Sequence, residues 1–560
     1  MSIQSPSLAS GTPRFFNAQL TALARNESSL AAWQHIAEST SVATLSKSIA
    51  DVEGEFAFAL RTPEGKVVMA VDRFAVKTLC YRVVDAELRF AARADELADA
   101  DAEIDPQAIF DYLYFHAIPS PRTIFKGVYR LPPGHYAVWA NGQLEVAPYW
   151  LPTFAEKKDA SFDALKTEFK TLLVDSVRHQ LDGSKPACFL SGGTDSSTIA
   201  GMIGQANTAP ASSYSIGFEA EGYDEMEFAR IAARHFKTKH HEYYVTPADL
   251  VRSIPAVAAH FDQPFGNSSA LPSYYCAKMA KEDGVSKLLA GDGGDELFGG
   301  NTRYAKQRVF GWYQHVPGPL RRKLMEPLLG TSLAGKLPLF GKAASYVEQA
   351  SVPMPDRLQM YNLVMRLGVH DILTPGFLSQ VDVTLPLQQQ QQVWKSTPPC
   401  SEVNAQLAFD WRYTLAETDL PKVMGATSLA QVGVGFPFLD RKILDFSMAL
   451  PSSYKLKGMK LRWFFKEALR GFLPDEIITK KKQGFGLPFG VWALRDAALK
   501  ALATDSLQSL SHRGIVRPEF IQSLLDVRLA EHPGYFGEMV WILMMLEQWL
   551  QRHAPRYQLT

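Results

Sequence analysis

One stretch of the sequence decides the fold: Ala187-Cys188-Phe189-Leu190-Ser191-Gly192-Gly193-Thr194-Asp195-Ser196-Ser197. Residues 187–190 are mostly apolar and predict a buried strand, and Asp-Ser-Ser predicts the start of a helix that continues through residues 198–203. Between them, Ser-Gly-Gly predicts a tight turn whose glycines let a phosphate approach the backbone. N–H groups at the start of a helix attract anions. Because the Lys-Ser/Thr ending of a Walker loop is missing, the stretch predicts a phosphate-binding loop of another kind.

Length and composition set the class of protein. A chain of 560 residues is expected to hold two or more domains. Lys plus Arg and Asp plus Glu both number 58, so the zero net charge gives no reason to expect a nucleic acid or a membrane as partner. Signal-peptide features and apolar runs of ~18 residues are both missing. The widely spaced cysteines favour a reducing compartment, and together these features predict a cytoplasmic protein; the cysteines are Cys80, Cys188, Cys276 and Cys400.

The pattern of the sequence changes near residue 152. Residues 1–50 have no clear pattern, and residues 54–150 alternate short apolar runs with Gly and Pro, which predicts an antiparallel β layer. The polar stretch 152–160 is the best linker candidate. From Ser161 onward, apolar strands alternate with helical patterns, which predicts a parallel sheet wound with helices. We therefore expect an α/β protein with two domains, 1–152 and 161–555, and predict parallel strands at 187–190, 212–218 and 285–290.

A second glycine-rich loop, Gly-Asp-Gly-Gly-Asp-Glu-Leu-Phe-Gly-Gly at 291–300, follows the strand that ends near Ala290. Ligands of parallel sheets bind at the carboxyl ends of strands, so this loop is expected beside the first one. A calcium loop is one interpretation, although the rest of that ligand pattern is missing. Mg²⁺ is usually held by one or two carboxylates together with substrate phosphates. We therefore predict Asp195 and Asp295 as magnesium ligands.

The two loops together resemble the synthetase domain of asparagine synthetases, and SGGTDSS at 191–197 resembles the pyrophosphate loop of ATP pyrophosphatases. Other segments of that family follow in the same order: YSIGF at 214–218, YDE at 223–225, PFLD within 436–440 and KQGFGLP at 482–488. The resemblance covers about residues 50–555. It implies a C-terminal ATP-pyrophosphatase domain, built on a parallel sheet with helical additions, after an N-terminal Ntn-hydrolase-like αββα domain.

The resemblance also implies a reaction and its residues. A carboxylate attacks ATP·Mg²⁺ to give an acyl-adenylate and pyrophosphate, and an amine or ammonia then displaces AMP. Lys482 matches the catalytic lysine, with a solvated charge as the alternative, and Asp292 matches the acid that orients or deprotonates the amine. Asp419 is either a second active-site acid or a structural partner of Lys422. Nucleotide contacts are expected from Leu190, Ser191, Gly192, Gly193, Thr194, Asp195, Ser196, Ser197, Ile216, Ala290 and Gly291.

The N-terminal part resembles the family's glutaminase domain from its middle onward, at 54–60, 72–74 and 131–135. That domain begins Met-Cys-Gly-Ile, with the cysteine as nucleophile, whereas Ser2 follows Met1 here. A terminal serine nucleophile and a disordered terminus are the two interpretations of Ser2. The strand near residue 56 also comes early in the chain. We therefore predict a truncated, degenerate domain that cannot hydrolyse glutamine.

One departure leaves the substrates open. Many family members carry Glu-x-Arg before the PFLD element, where this chain has Gly433-Val434-Gly435. The first hypothesis is an amide ligase that uses ammonia or the amine of a second substrate, as β-lactam synthetases and lasso-peptide cyclases do. The second is an asparagine synthetase that uses aspartate with ammonia or glutamine nitrogen. The expected partners are a small-molecule or peptide carboxylate and an amine or ammonia, and a homodimer is compatible with the sequence.

The third hypothesis is a catalytically inactive scaffold. The retained set of site residues argues against it, because an inactive chain has no need of the complete set. These residues are Ser191, Asp195, Asp292, Asp295 and Lys482.

Overall fold

A computed structural model describes residues 7–99, 102–157, 159–207, 209–314, 346–481 and 486–559. Within its N-terminal portion, residues 7–150, two antiparallel sheets have the strand orders β1-β2-β3-β7-β8 and β5-β4-β6. The strands are β1 Leu8–Gly11, β2 Phe56–Arg61, β3 Val67–Val71, β4 Cys80–Val84, β5 Glu87–Ala91, β6 Tyr129–Arg130, β7 His135–Ala140 and β8 Gln143–Pro148. The helices are α1 Ala18–Asn26, α2 Ser29–Ser39, α3 Val42–Ala50 and α4 Pro106–Phe115.

Apolar residues on both faces of the strands explain the layers. On the outer face of the five-stranded sheet, Trp33 of α2 stacks on Phe58 with 4.2 Å between ring centroids. The inner face carries buried residues such as Met69, which pack against Leu88 of the second sheet. Helix α4 packs beyond the second sheet, against Cys80 and the C-terminal portion. The result is the expected αββα arrangement.

The C-terminal portion, from residue 159 onward, is built on a parallel sheet with the order β11-β10-β9-β12-β13. Its strands are β9 Ala187–Phe189, β10 Ser212–Phe218, β11 Lys239–Val245, β12 Lys287–Leu289 and β13 Gly433–Gly435. The helices that first wind around it are α5 Phe162–Gln180, α6 Thr194–Ala206, α7 Met226–Phe236, α8 Pro247–His260, α9 Ala270–Glu282, α10 Gly294–Phe298 and α11 Thr302–Gln314. The α/β class with a parallel sheet is therefore confirmed.

Helical additions follow the sheet. Their helices are Leu363–Leu367, Val369–Ile372, Pro375–Leu378, Leu385–Ser396, Glu402–Asp410, Leu420–Leu429, Arg441–Ala449, Ser452–Lys455, Trp463–Ala468, Asp475–Thr479, Phe489–Arg495, Ala497–Ser511, Pro518–Ser523, Leu529–Glu531 and Pro533–His553. Trp411–Asp419 and Leu524–Arg528 are π-helical, Asp356–Gln359 and Pro437–Leu439 are 3₁₀ turns, and Leu456–Lys457 pairs with Lys460–Leu461.

The middle of the helix Pro533–His553 is mostly buried, from Met539 to Leu550, whereas Glu538 is exposed. It accommodates Glu547 because Arg513 Nε donates to that carboxylate at 2.6 Å. Among the described residues, no helix combines the length and apolarity that crossing a membrane requires.

Candidate active site

Both glycine-rich loops leave the same edge of the parallel sheet. The first follows β9 and the second follows β12, and these strands are neighbours. The loops approach so closely that a Cβ on Gly291 would lie 2.8 Å from the backbone nitrogen of Ser196. Gly192 has a φ of +71°, and a Cβ there would overlap the start of α7. Glycine is therefore required at both positions by close packing within the protein.

Hydroxyl groups hold the first loop in shape. The backbone N–H of Ser191 donates to Ser196 Oγ at 3.1 Å, and the two hydroxyl oxygens are 3.0 Å apart. Ser196 Oγ also donates to the carbonyl of Gly193 at 3.3 Å. Helix α6 begins at Thr194, directly after the glycines. The start of this helix, with the positive end of its dipole, therefore faces the cavity beyond the loop.

Asp195, Asp295 and Arg462 form the first charged group, which we call the Arg462 cluster. One guanidinium nitrogen, Nη1, donates to Asp195 Oδ2 at 2.8 Å and to Asp295 Oδ1 at 2.7 Å, and Nη2 donates to the other oxygen of Asp195. Nη1 also donates to Thr194 Oγ1 at 2.8 Å. The Arg462 side chain is only 5% exposed. Burial by itself would lower the pKa of Arg462, but the two carboxylates outweigh it and raise that pKa.

Asp292, Asp419 and Lys422 form the second charged group, the Lys422 cluster. Lys422 Nζ donates to Asp292 Oδ1 at 3.2 Å and to Asp419 Oδ1 at 3.3 Å. Burial opposes the charge of Lys422, and the two carboxylates outweigh burial and raise its pKa. The pKa of Asp419 is raised by burial, against the lowering effect of Lys422. The pairing of Asp419 with Lys422 therefore does not remove Asp419 from the site, because Lys422 also binds Asp292.

Asp419 ends the π-helical segment Trp411–Asp419. Such segments widen a helix locally and occur frequently at functional sites. Trp411 anchors the segment by donating from its indole nitrogen to the carbonyl of Glu296, at 2.9 Å. This contact links the segment to the helix of the second glycine-rich loop and places Asp419 beside that loop.

A cavity of about 1130 Å³ holds both clusters. The predicted site residues that line it are Leu190, Ser191, Gly193, Thr194, Asp195, Ser196, Ile216, Gly291, Asp292, Asp295 and Asp419. Within the described part of the chain, Gly192, Ser197 and Ala290 are buried and are not part of the lining. Lys482 lies in 482–485, outside the described residues.

Two cations of this cavity, Arg462 and Lys422, were not assigned a catalytic or binding role from the sequence. The local sequence indicated that Lys422 could pair with Asp419, because Lys422 lies three residues later on the same helical surface. No local feature of the sequence indicated that Arg462 pairs with Asp195, since 267 residues separate the two. Lys480 also lines the cavity, with its Nζ 2.7 Å from Glu225 Oε1 and 4.4 Å from the ring centroid of Phe228.

The carboxylates fit magnesium only in combination with substrate oxygens. Across residues 7–314, 346–481 and 486–559, as far as they are described, no group of three or more His, Cys, Asp or Glu side chains can hold a metal ion. Asp195 and Asp295 reach the same guanidinium, so two hard oxygen donors lie close together. Two carboxylates plus phosphate oxygens are the usual set for Mg²⁺.

The departure before the PFLD element forms β13, which pairs with β12 in parallel. A Cβ on Gly435 would lie 2.6 Å from Gln180 Oε1 and 2.9 Å from Leu289 Cδ2. Gly435 thus lets this edge strand pack closely against the end of α5. The structure explains the glycine at 435 by close packing.

Comparisons with known proteins agree with this arrangement. The family model described as asparagine synthase matches residues 168–551, and a glutamine amidotransferase domain model matches residues 41–150. The chain belongs to the asparagine synthase family. It is accordingly an asparagine synthase-like amide ligase in general terms, that is, a carbon–nitrogen ligase.

Three relatives show the range of this similarity. Asparagine synthetase [glutamine-hydrolyzing] 1 of Bacillus subtilis is 25% identical over 89% of this chain and 77% of its own length. A putative asparagine synthetase [glutamine-hydrolyzing] of Mycobacterium bovis is 26% identical over 89% of this chain and 76% of its own length. Amidase chyE of Penicillium rubens is 25% identical, over 79% of this chain and 71% of its own length.

Proposed function

We propose that this chain is an ATP-dependent, AMP-forming ligase that adenylates a carboxylate and transfers the acyl group to ammonia or an amine. The observation that carries the proposal is the convergence of the two glycine-rich loops, the Arg462 cluster and the Lys422 cluster in one cavity. Phosphate chemistry needs backbone N–H groups and fixed cations, whereas amide formation needs a base. This cavity offers both kinds of group.

The loop residues and Arg462 would act on the phosphates. A substrate carboxylate oxygen attacks the α-phosphorus of ATP, and the bond to the β-phosphate oxygen breaks to release pyrophosphate. The start of α6 and the guanidinium of Arg462 stabilise the negative charge that develops on those oxygens. Asp195 and Asp295 would hold Mg²⁺, which supplies further neutralisation of phosphate charge when it is bound.

The Lys422 cluster would act on the amine. The amine nitrogen attacks the acyl carbon of the adenylate, the carbon–oxygen bond to AMP breaks, and the nitrogen loses a proton. Asp292 and Asp419 are the carboxylates that can accept this proton, and burial raises the pKa of Asp419. Lys422 keeps both carboxylates in place. Lys482 stays a predicted catalytic cation from the sequence.

We further propose that none of the four cysteines is a glutaminase nucleophile; Ser2 lies outside the described residues. Cys80, Cys188 and Cys276 are buried, and burial raises the pKa of the first two to about 12. Burial also raises the pKa of the partly exposed Cys400. Thiols of this kind do not form the thiolate that attacks an amide. The pure chain should therefore release no glutamate from glutamine, and measured release would overturn this part of the proposal.

Asparagine synthesis is the second candidate, and the names of the bacterial relatives favour it. One incubation separates the candidates: the pure chain with ATP, Mg²⁺, aspartate and ammonium, assayed for AMP, pyrophosphate and asparagine together. Asparagine formed in step with AMP would establish an ammonia-using asparagine synthetase. ATP binding without asparagine would instead favour another acid and amine. A chain that neither binds nor cleaves ATP would overturn the proposal and favour the inactive scaffold.

The remaining sequence-based expectations stay predictions: the domain boundaries, a cytoplasmic location, a homodimer and the exclusion of nucleic-acid and membrane partners.

A further inference from the structure

A second cavity, of about 510 Å³, lies between the end of α4 and the start of the helix Pro533–His553. Phe115 and His116 line it from the N-terminal portion, while Glu538 and Trp541 line it from the C-terminal helix. Asp419 lines both this cavity and the larger one, as does Asn267. The second cavity therefore meets the active site at the Lys422 cluster, and none of its described lining residues belongs to the phosphate loop.

Contacts between the two portions and within the C-terminal portion define this cavity. The backbone N–H of Gly266 donates to the carbonyl of His116 at 2.8 Å, and the indole N–H of Trp541 donates to the carbonyl of Gly266 at 3.0 Å. Phe489 packs edge-on against Trp541, with 5.2 Å between ring centroids. Phe115 stacks on Tyr413 at 5.4 Å. These bonds and ring contacts hold the aromatic side chains in fixed positions, so the cavity has a defined shape before any ligand binds.

The charges of the two cavities differ. Among the described residues, seven basic and seven acidic side chains line the larger cavity, so cations are available there to a carboxylate or phosphate ligand. The described lining of the second cavity has two carboxylates, Glu538 and Asp419, and neither Lys nor Arg. His116 Nδ1 lies 3.5 Å from Glu538 Oε1, but burial lowers the pKa of His116 to about 4, so it carries no charge at neutral pH. A carboxylate ligand would be repelled here, and an ammonium group would be attracted.

The size and the apolar surface point to an organic molecule. Free ammonia is similar in size to water, which occupies about 30 Å³ in the liquid. A cavity of about 510 Å³ lies in the range of pockets that bind small organic ligands. Its apolar surface comes from Phe115, Tyr223, Leu487, Phe489 and Trp541. An ammonium group joined to a hydrophobic group matches this combination.

We propose that the second cavity binds a hydrophobic primary amine, the nucleophile that attacks the acyl-adenylate. Its ammonium lies beside Glu538 and Asp419, and its apolar group lies against Trp541 and Phe489. Asp419 accepts one proton from the ammonium, the neutral nitrogen then attacks the acyl carbon in the larger cavity, and Asp292 accepts the second proton as the bond to AMP breaks. This inference rests on the proposed ligase function and adds the class of the amine. It also gives the N-terminal portion a binding role, through the end of α4.

The experiment titrates the full chain by calorimetry with 2-phenylethylammonium and with phenylacetate, which has the same ring and the opposite charge. We expect 2-phenylethylammonium to bind with a millimolar or lower Kd and phenylacetate not to compete. Glu538→Gln removes one carboxylate and should raise the Kd about tenfold, as expected for a lost charge-assisted hydrogen bond. Glu531→Gln is the matched control, because Glu531 is an exposed acid that does not line the cavity.

A second variant fills the cavity without touching a charge. A Cβ on Gly534 would have no heavy atom nearer than 3.8 Å, so Gly534→Leu should fold and occupy part of the cavity. We expect it to raise the Kd for 2-phenylethylammonium about tenfold. Gly204→Leu is its control, since Gly204 lies in α6, has open space around it and does not line the cavity.

The outcomes separate this inference from the proposed function. ATP·Mg²⁺ binding is followed independently by the rise in melting temperature that a ligand of the native state produces. Intact ATP binding with no 2-phenylethylammonium binding, or equal binding by wild type and Glu538→Gln, overturns the amine cavity alone. Binding of 2-phenylethylammonium by a chain that does not bind ATP overturns the ligase function, and with it the role of the amine as nucleophile.

Discussion

The Arg462 cluster and the Lys422 cluster carry the same charges: each has two carboxylates around one cation, which is buried for Arg462 and partly buried for Lys422, at one edge of one sheet. They differ in the cation. The planar guanidinium of Arg462 reaches both oxygens of Asp195 and one of Asp295, so it fixes their geometry. The ammonium of Lys422 is a point charge, 3.2 Å and 3.3 Å from single oxygens. In the reaction proposed above, the rigid, permanently charged guanidinium would face the phosphates, and the compact ammonium would face the proton transfer.

A third buried cation shows what the carboxylates do. Lys455 is fully buried, and its Nζ donates to Asn404 Oδ1 at 2.8 Å and lies 4.8 Å from the ring centroid of Phe154. Burial lowers the pKa of Lys455 to about 7. Burial therefore favours the neutral form where an amide is the partner, and the charged form persists where two carboxylates are partners.

The largest expected effect comes from Arg462. Arg462→Met removes the charge beside the phosphate loop and should lower the rate of AMP formation about 10³-fold, because a preorganised donor to the developing charge is lost. The rate of AMP formation by Arg462→Lys should lie between those of wild type and Arg462→Met, since lysine keeps the positive charge but loses the two-pronged hydrogen bonding of the guanidinium. Pyrophosphate release measures the rate, and circular dichroism verifies the fold.

The matched control for this change is Arg178→Met, which removes an arginine from an exposed pair with Asp175 on α5. Its AMP formation should equal that of wild type. If Arg462→Met keeps more than about a tenth of the wild-type rate, Arg462 does not stabilise the transition state. The proposed difference in role between the two clusters would then be wrong.

The next effect concerns Asp292. Asp292→Asn keeps the size of the side chain and removes one proton acceptor, so amide formation should fall about 10²-fold. ATP binding should remain, because Asp292 is outside the Arg462 cluster. Rates of amide formation and nucleotide-induced shifts of the melting temperature, measured on the same samples, test this separation. A variant that loses both would show that the two clusters act as one unit.

The pH dependence of the free energy of unfolding tests whether Lys455 is neutral in the folded state, in contrast to Arg462 and Lys422. The pKa of Lys455 is about 7 in the folded state and 10.5 as the ordinary value, so the unfolded chain binds more protons between these pH values. The free energy of unfolding of wild type should therefore rise with pH across that window, by about 1 kcal/mol per pH unit. Lys455→Met should remove this slope in urea unfolding.

The control for that measurement is Lys442→Met, at an exposed position on the helix Arg441–Ala449. It should leave the slope in place. An unchanged slope in Lys455→Met would mean that Lys455 is charged in the folded state, and that carboxylate partners are not what distinguishes the two clusters from Lys455.

The smallest effect is expected for the exposed ion pair itself. Arg178 and Asp175 are 56% and 41% exposed, and water screens their attraction. Arg178→Ala should change the free energy of unfolding by no more than about 0.5 kcal/mol, by urea unfolding at neutral pH. A loss larger than about 1 kcal/mol would show that burial is not what gives the two clusters their strength.

The local sequence determined the strands and the glycine-rich loops of the site, because these depend on residues that are neighbours in the chain. The apolar run of β10 gave a strand with the predicted bounds, Ser212–Phe218, because apolar patterning acts over a few residues. The positions of both loops could be predicted for the same reason, because their glycines are visible in the local sequence. Only glycine fits where two backbone segments approach this closely. In contrast, β1 and helices α1–α3 had no clear pattern, and they owe their positions to packing on the five-stranded sheet.

The sequence by itself thus determined the α/β class, the two glycine-rich loops and the family to which the chain belongs. Only the tertiary structure decided which cations join these loops. Arg462 meets Asp195 across 267 residues, and Lys422 meets Asp292 across 130. No local period encodes such a meeting, because it depends on how the helical additions pack on the sheet. The second cavity arises in the same way, from the packing of α4 against a helix more than four hundred residues later, as the hydrogen bond from Tyr112 to Ile542 shows.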